Sequence, residues 1–85
     1  MPSSRPTPQL TMYTTSWCGY CVRLKRMMQR EDIDFAEVNI ETDESAVELV
    51  MNANGGNQTV PTLVFADGSA LTNPSIDQVK AKLAA

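Results

Sequence analysis

The only two cysteines in the chain stand three residues apart in Trp17-Cys18-Gly19-Tyr20-Cys21, and the hydrophobic period changes across them. Before them, Leu10-Thr11-Met12-Tyr13-Thr14 is a short alternating run of the kind a half-buried strand shows. After them, Cys21, Leu24 and Met28 fall at helical spacing, while Arg23, Lys25, Arg26 and Arg30 take mostly other faces. The pair therefore sits where a strand is expected to end and a helix over 18–30 to begin. The rest of the chain must cover both elements.

Residues 35–40 alternate again and are expected to form a second strand. Thr42 or Asp43 can cap a following helix that places Ala46, Leu49, Val50 and Ala53 on one stripe. Asn54-Gly55-Gly56-Asn57 ends it, because glycine and asparagine tolerate the left-handed conformation found at helix ends. Residues 60–65 suit a strand with Pro61 near its start, where a missing N–H costs least. Asp67-Gly68 is a two-residue hairpin signal leading into a short strand over 69–71. Asn73 and Pro74 offer a cap and a first-turn proline to a last helix carrying Ile76, Val79 and Leu83.

The order is β-α-β-α-β-β-α, an α/β chain. Two leading β-α units favour parallel strands with right-handed crossovers, and the closing hairpin adds antiparallel ones. A four-stranded mixed sheet flanked by helices on both faces is the expected compact solution. Residues 9–85 read as one domain. Residues 1–8, with three prolines and no apolar run, read as a flexible N-terminal arm.

Composition then narrows the chemistry. Seven Lys and Arg against ten Asp and Glu give a net charge of −3, with no excess of positive charge to neutralise phosphates. Nucleic acid is not an expected partner. Two thiols are too few to staple a small secreted scaffold, and without histidine they cannot complete a zinc site within one chain. No metal is expected, and histidine-dependent acid–base chemistry is excluded. The arm lacks the apolar core of a signal peptide, and Leu63-Val64-Phe65-Ala66 falls far short of the roughly 20 residues of a membrane span. The expectation is a cytoplasmic domain, away from membranes, whose unusual chemistry is sulfur.

A thiol at a helix N-terminus meets unpaired backbone N–H groups and the positive end of the helix dipole. Such cysteines can fall from a pKa of about 8.5 to roughly 3.5–7.5. Cys18 holds that position and is the expected nucleophile; Cys21, one turn further in, is the expected resolving thiol. Three other readings stand beside this one: a structural disulfide, whose small loop would stabilise little, spare buried cysteines, or half of an intermolecular iron–sulfur site.

Residues 13–23 around the cysteines, Thr59-Val60-Pro61-Thr62, and the spacing between them resemble the glutaredoxin branch of the thioredoxin fold, over about residues 9–84. The Cys-Gly-Tyr-Cys tetrapeptide differs from the Cys-Pro-Tyr-Cys common in that family. The resemblance implies thiol–disulfide exchange and a cis Val60–Pro61 bond beside the nucleophile, with the Val60 backbone free to pair with substrate. Many glutathione-dependent members carry a lysine where Thr15 stands, and a Gly-Gly with acidic residues before the last helix, where this chain has Gly68-Ser69-Ala70-Leu71-Thr72-Asn73-Pro74-Ser75. Both ends of glutathione would lose their partner here.

A thiol with a sugar-like body would instead want neutral hydrogen-bonding groups, which Thr15, Ser16, Thr72, Asn73 and Ser75 offer. Residues 14–21, 47–57, 59–62, 65–69 and 71–74 are similar to the actinobacterial mycoredoxins, reductases that use mycothiol. That resemblance implies reduction of mixed disulfides between proteins and mycothiol. It also implies no tightly bound cofactor, mycothiol as co-substrate, and NADPH acting only through a separate mycothiol disulfide reductase. Thr15, Ser16, Trp17, Tyr20, Thr59, Val60, Pro61, Thr72 and Asn73 would bind substrate, and the protein would be a monomer. Alternatives are a redoxin serving ribonucleotide reductase, a general dithiol redoxin, or an iron–sulfur-bridged dimer. The first usually carries a late Trp-Ser-Gly-Phe-Arg-Pro segment, which is absent here.

Overall fold

Leu10–Thr14 (β1) lies inside the sheet, where it pairs parallel with Phe35–Asn39 (β2) and antiparallel with Thr62–Phe65 (β3). Ala70–Thr72 (β4) closes the sheet antiparallel to β3, giving the order β2-β1-β3-β4. Among the described residues three α-helices accompany the sheet: Gly19–Arg30 (α1), Glu44–Ala53 (α2) and Ile76–Ala84 (α3). A computed structural model describes residues 9–56 and 59–84. The expected arm over 1–8 and Asn57 lie outside those residues.

Alternation along the strands sorts side chains onto two cores. On one face Leu10, Met12, Leu63 and Phe65 meet Cys21, Leu24 and Met28 of α1 and Val79 of α3. On the other, Tyr13 with Val38 and Val64 meets Ile40, Ala46 and Val50, from the turn after β2 and from α2. The expected mixed sheet with helices on both faces is therefore present. Glu37 ties β2 to its neighbours: it accepts the Thr14 hydroxyl at 3.0 Å and pairs with Lys25 of α1 at 3.0 Å.

Several boundaries differ from expectation for local reasons. The second strand stops at Asn39, because the Asn39 side chain accepts the Glu41 N–H at 2.8 Å and draws the chain into a 3-10 turn, Ile40–Thr42. Of the two caps expected for α2, Asp43 is the one used, accepting the Ser45 and Ala46 N–H groups. The inward stripe of α2 is Ala46, Val47 and Val50; Leu49 is 39% exposed and Ala53 also faces outward. The third strand begins at Thr62 rather than residue 60, since Pro61 has no N–H for the ladder.

The hairpin loop has three residues, not two. The Gly68 N–H bonds Phe65 O at 2.9 Å, and the Phe65 N–H bonds Ser69 O at 2.8 Å. Gly68 adopts φ +88°, the left-handed step that follows a type I turn in such loops, so β4 starts at Ala70 rather than Ser69. Asn73 does not cap α3. It sits at φ +46°, and Ser75 and Gln78 form a capping box instead, with bonds of 3.1 and 2.8 Å.

Candidate active site

Cys18 is the N-cap of α1, with extended backbone (φ −88°, ψ 104°), and its Sγ accepts the Cys21 N–H at 3.0 Å. The first turn of the helix contains no acidic residue, so nothing on the helix opposes negative charge at that sulfur. Cys18 and Cys21 are joined by a disulfide with Cα atoms 5.2 Å apart. Cys18 retains 5% exposure and Cys21 2%, so position on the helix separates the two sulfurs more than burial does.

The loop that delivers Cys18 is fixed from beneath and from the side. The Cys18 N–H points to Thr15 O at 3.4 Å, and Thr15 is itself buried, with a hydroxyl that has no partner among the described residues. Ser16 donates to Glu41 twice, from its N–H at 2.8 Å and its hydroxyl at 2.7 Å. These bonds, with smaller contributions from the Asn39 and Trp17 side chains, hold the Glu41 carboxyl below its ordinary range. Trp17 and Tyr20 flank the disulfide and stand 73% and 66% exposed.

The parallel register explains Glu41. Thr14 pairs with Asn39, so Ser16 and Glu41, each two residues further on, emerge together at the carboxyl ends of adjacent strands. That edge is where open α/β sheets commonly build their sites. The sequence singled out Ser16 but not Glu41. Only a committed strand register would have revealed it.

The Val60–Pro61 bond is cis, Val60 packs against the core cluster that holds both cysteines, and no described residue bonds the Val60 N–H or C=O. A small polar network holds this turn. The Thr62 hydroxyl donates to Thr59 O at 2.7 Å and accepts from the Asn54 amide at 2.9 Å. The Asn54 carbonyl accepts the Thr72 hydroxyl, and the Asn73 N–H bonds Pro61 O at 2.7 Å. Asn54 reads in sequence only as a helix stop, yet it links α2 to both β3 and β4.

Tyr20 and Arg23 of α1 face Asn73 and Ser75 across a groove of about 380 Å³, with Leu24 and Ile76 also lining it. The structure thus brings Tyr20 and Asn73 together with Arg23. It commits the hydroxyls of Ser16 and Thr72 to internal bonds and buries Thr15. Thr59 is exposed at the edge of the cis turn. Among the described residues no cluster of three or more Cys, Asp or Glu comes together to hold a metal ion, and no helix is long and apolar enough to cross a membrane.

Comparison with known proteins matches this arrangement to one family. The family model described as Glutaredoxin matches residues 10–70. A protein of Mycobacterium tuberculosis (strain H37Rv) that carries a glutaredoxin name is 61% identical over 77 residues, covering 91% of this chain and 92% of its own. Mycoredoxin 1 of Corynebacterium glutamicum is 38% identical over 76 residues, covering 89% of this chain and 94% of its own. Among solved structures, the glutaredoxin of Methanosarcina mazei Go1 superposes with a TM-score of 0.78 at 25% identity, over 89% of this chain and 78% of that one.

Proposed function

This chain belongs to the glutaredoxin family of thiol–disulfide oxidoreductases, and on that premise we propose that it reduces mixed disulfides between proteins and mycothiol. The observation that carries the reading is the placement of Cys18 Sγ at the N-cap of α1, 3.0 Å from the Cys21 N–H. That N–H and the helix dipole stabilise a thiolate without any histidine base in the chain.

In the first step the Cys18 thiolate attacks the mycothiol sulfur of the mixed disulfide. The protein–mycothiol S–S bond breaks, a Cys18–mycothiol bond forms, and the protein thiolate departs and takes a proton from solvent. A second mycothiol thiolate then attacks the bound mycothiol sulfur, yielding mycothiol disulfide and regenerating the Cys18 thiolate. A separate NADPH-dependent mycothiol disulfide reductase recycles that product. In a second route the Cys21 thiolate attacks Cys18 Sγ, expels mycothiol and leaves the Cys18–Cys21 disulfide. The balance between routes depends on leaving-group pKa and access.

Support for mycothiol over glutathione comes from charge. Thr15 stands where many glutathione-dependent members carry a lysine, and Asn73 and Ser75, across the groove from Tyr20 and Arg23, bring no carboxylate to meet a γ-glutamyl ammonium. Val60, with its unbonded N–H and C=O beside the cis bond, is the proposed backbone contact, with Pro61 and Thr59 shaping that edge. Trp17 and Tyr20 form the aromatic rim. The protein acts as a cytoplasmic monomer.

Competition between mycothiol and glutathione as reductants of one mixed disulfide tests the reading. Faster turnover with mycothiol is expected. Equal or faster turnover with glutathione overturns it.

A further inference from the structure

Cations on the described surface divide into two sets. Each lysine has a carboxylate partner: Lys25 with Glu37 at 3.0 Å, Lys80 with Glu31 at 3.2 Å and Lys82 with Asp67 at 3.2 Å. Among the described residues Arg23, Arg26 and Arg30 have none. All three are exposed on α1, at spacings of three and four residues that put them on one side of the helix. With Gly19 and Val22 they border a shallow depression of about 440 Å³.

This stripe starts beside the disulfide. Gly19 immediately follows Cys18, nothing lies within 4 Å of where a side chain on it would begin, and Val22 is 43% exposed. At 1.5 Å of rise per residue the stripe extends for about 16 Å along α1. The whole chain carries a net charge of −3, so three unpaired guanidiniums on one face run against its overall sign. Guanidinium forks match carboxylates in two-point geometry, which ammonium groups do not. Three cations on a net-negative chain are too few for the many phosphate contacts that sustain nucleic-acid binding.

We propose that the Arg23–Arg26–Arg30 face of α1 docks an acidic polypeptide segment beside the target cysteine, and so selects protein disulfides flanked by Asp and Glu. The inference rests on thiol–disulfide exchange at Cys18.

The test uses three synthetic peptides, each with one cysteine in mixed disulfide with mycothiol, flanked by Glu, Gln or Lys. The small mixed disulfide of mycothiol with 2-mercaptoethanol serves as the control. Wild type is expected to prefer Glu over Gln over Lys, with kcat/KM about tenfold higher for the first than the last at low salt, narrowing as salt rises. Arg26→Glu/Arg30→Glu should reverse that order and Arg26→Gln/Arg30→Gln should flatten it. Both should leave turnover of the small disulfide unchanged; Arg23 is kept because it lines the groove beside Tyr20. A wild type indifferent to flanking charge, or an order that persists in both variants, overturns the docking face alone. Tighter binding of duplex DNA than of the Glu-flanked peptide also overturns it. Failure of wild type to turn over any of the mixed disulfides overturns the underlying function instead.

Discussion

Glu41 accepts both the N–H and the hydroxyl of Ser16, at 2.8 and 2.7 Å, and so joins the turn after β2 to the loop that presents Cys18. Two strands that end side by side thus share one anchor. The carboxylate is exposed, so its worth lies in orientation rather than in bulk stability.

Glu41→Ala should slow turnover of a small mixed disulfide by about tenfold, because a loosened approach to the sulfur costs rate through orientation. Its thermal midpoint should stay close to that of wild type. Glu41→Gln keeps a carbonyl acceptor for the Ser16 N–H and should recover most of the rate. Steady-state kinetics on the three proteins check this. Wild-type rates in Glu41→Ala would show that the loop holds itself.

Asp67 supplies a pH signature. The Ser69 hydroxyl, the Ser69 N–H and then Lys82 hold its carboxyl down from 3.8 to about 2. The folded chain therefore binds that proton more weakly than the unfolded chain. The stabilisation is fully present above about pH 4 and is lost as pH falls through about 2. Asp67→Asn should have a lower urea midpoint than wild type at pH 7, and the gap should close as pH approaches 2. A gap that stays constant with pH would show that the carboxylate charge contributes nothing.

Ser75→Ala removes the cap of α3 and should cost about 1 kcal/mol, equivalent to a fall in Tm of roughly 4–8 °C for a domain of this size. Ser75→Asp restores an acceptor and should retain most of the stability. Thermal unfolding followed by circular dichroism reads both. An unchanged midpoint in Ser75→Ala would mean that Gln78 alone secures the helix start.

Much of this architecture is legible from residue type and spacing. Alternation in β1, the stripe of Cys21, Leu24 and Met28, and the Cys-x-x-Cys between them fix the first strand and helix. Local polar competition hid the rest. Asn39 and Ser75 redirect the backbone through their side chains, and periodicity does not register such bonds; Asp43 is one of the two caps the sequence offers for α2. Asp67-Gly68 marked the hairpin but not its length, which depends on where the left-handed step falls. In the site, Cys18 and Cys21 follow from local sequence, whereas Glu41 and Asn54 act across 25 and 8 residues. Those two needed strand register and loop geometry to be found.

The proposed reduction of mycothiol mixed disulfides needs Cys18 to attack and leaves Cys21 dispensable. Its most direct test is the rate at which Cys18→Ser and Cys21→Ser reduce one such substrate, with mycothiol as the reductant. Cys18→Ser is expected to show no turnover, and Cys21→Ser to retain it. Activity surviving in Cys18→Ser, or a dead Cys21→Ser, would contradict the proposal.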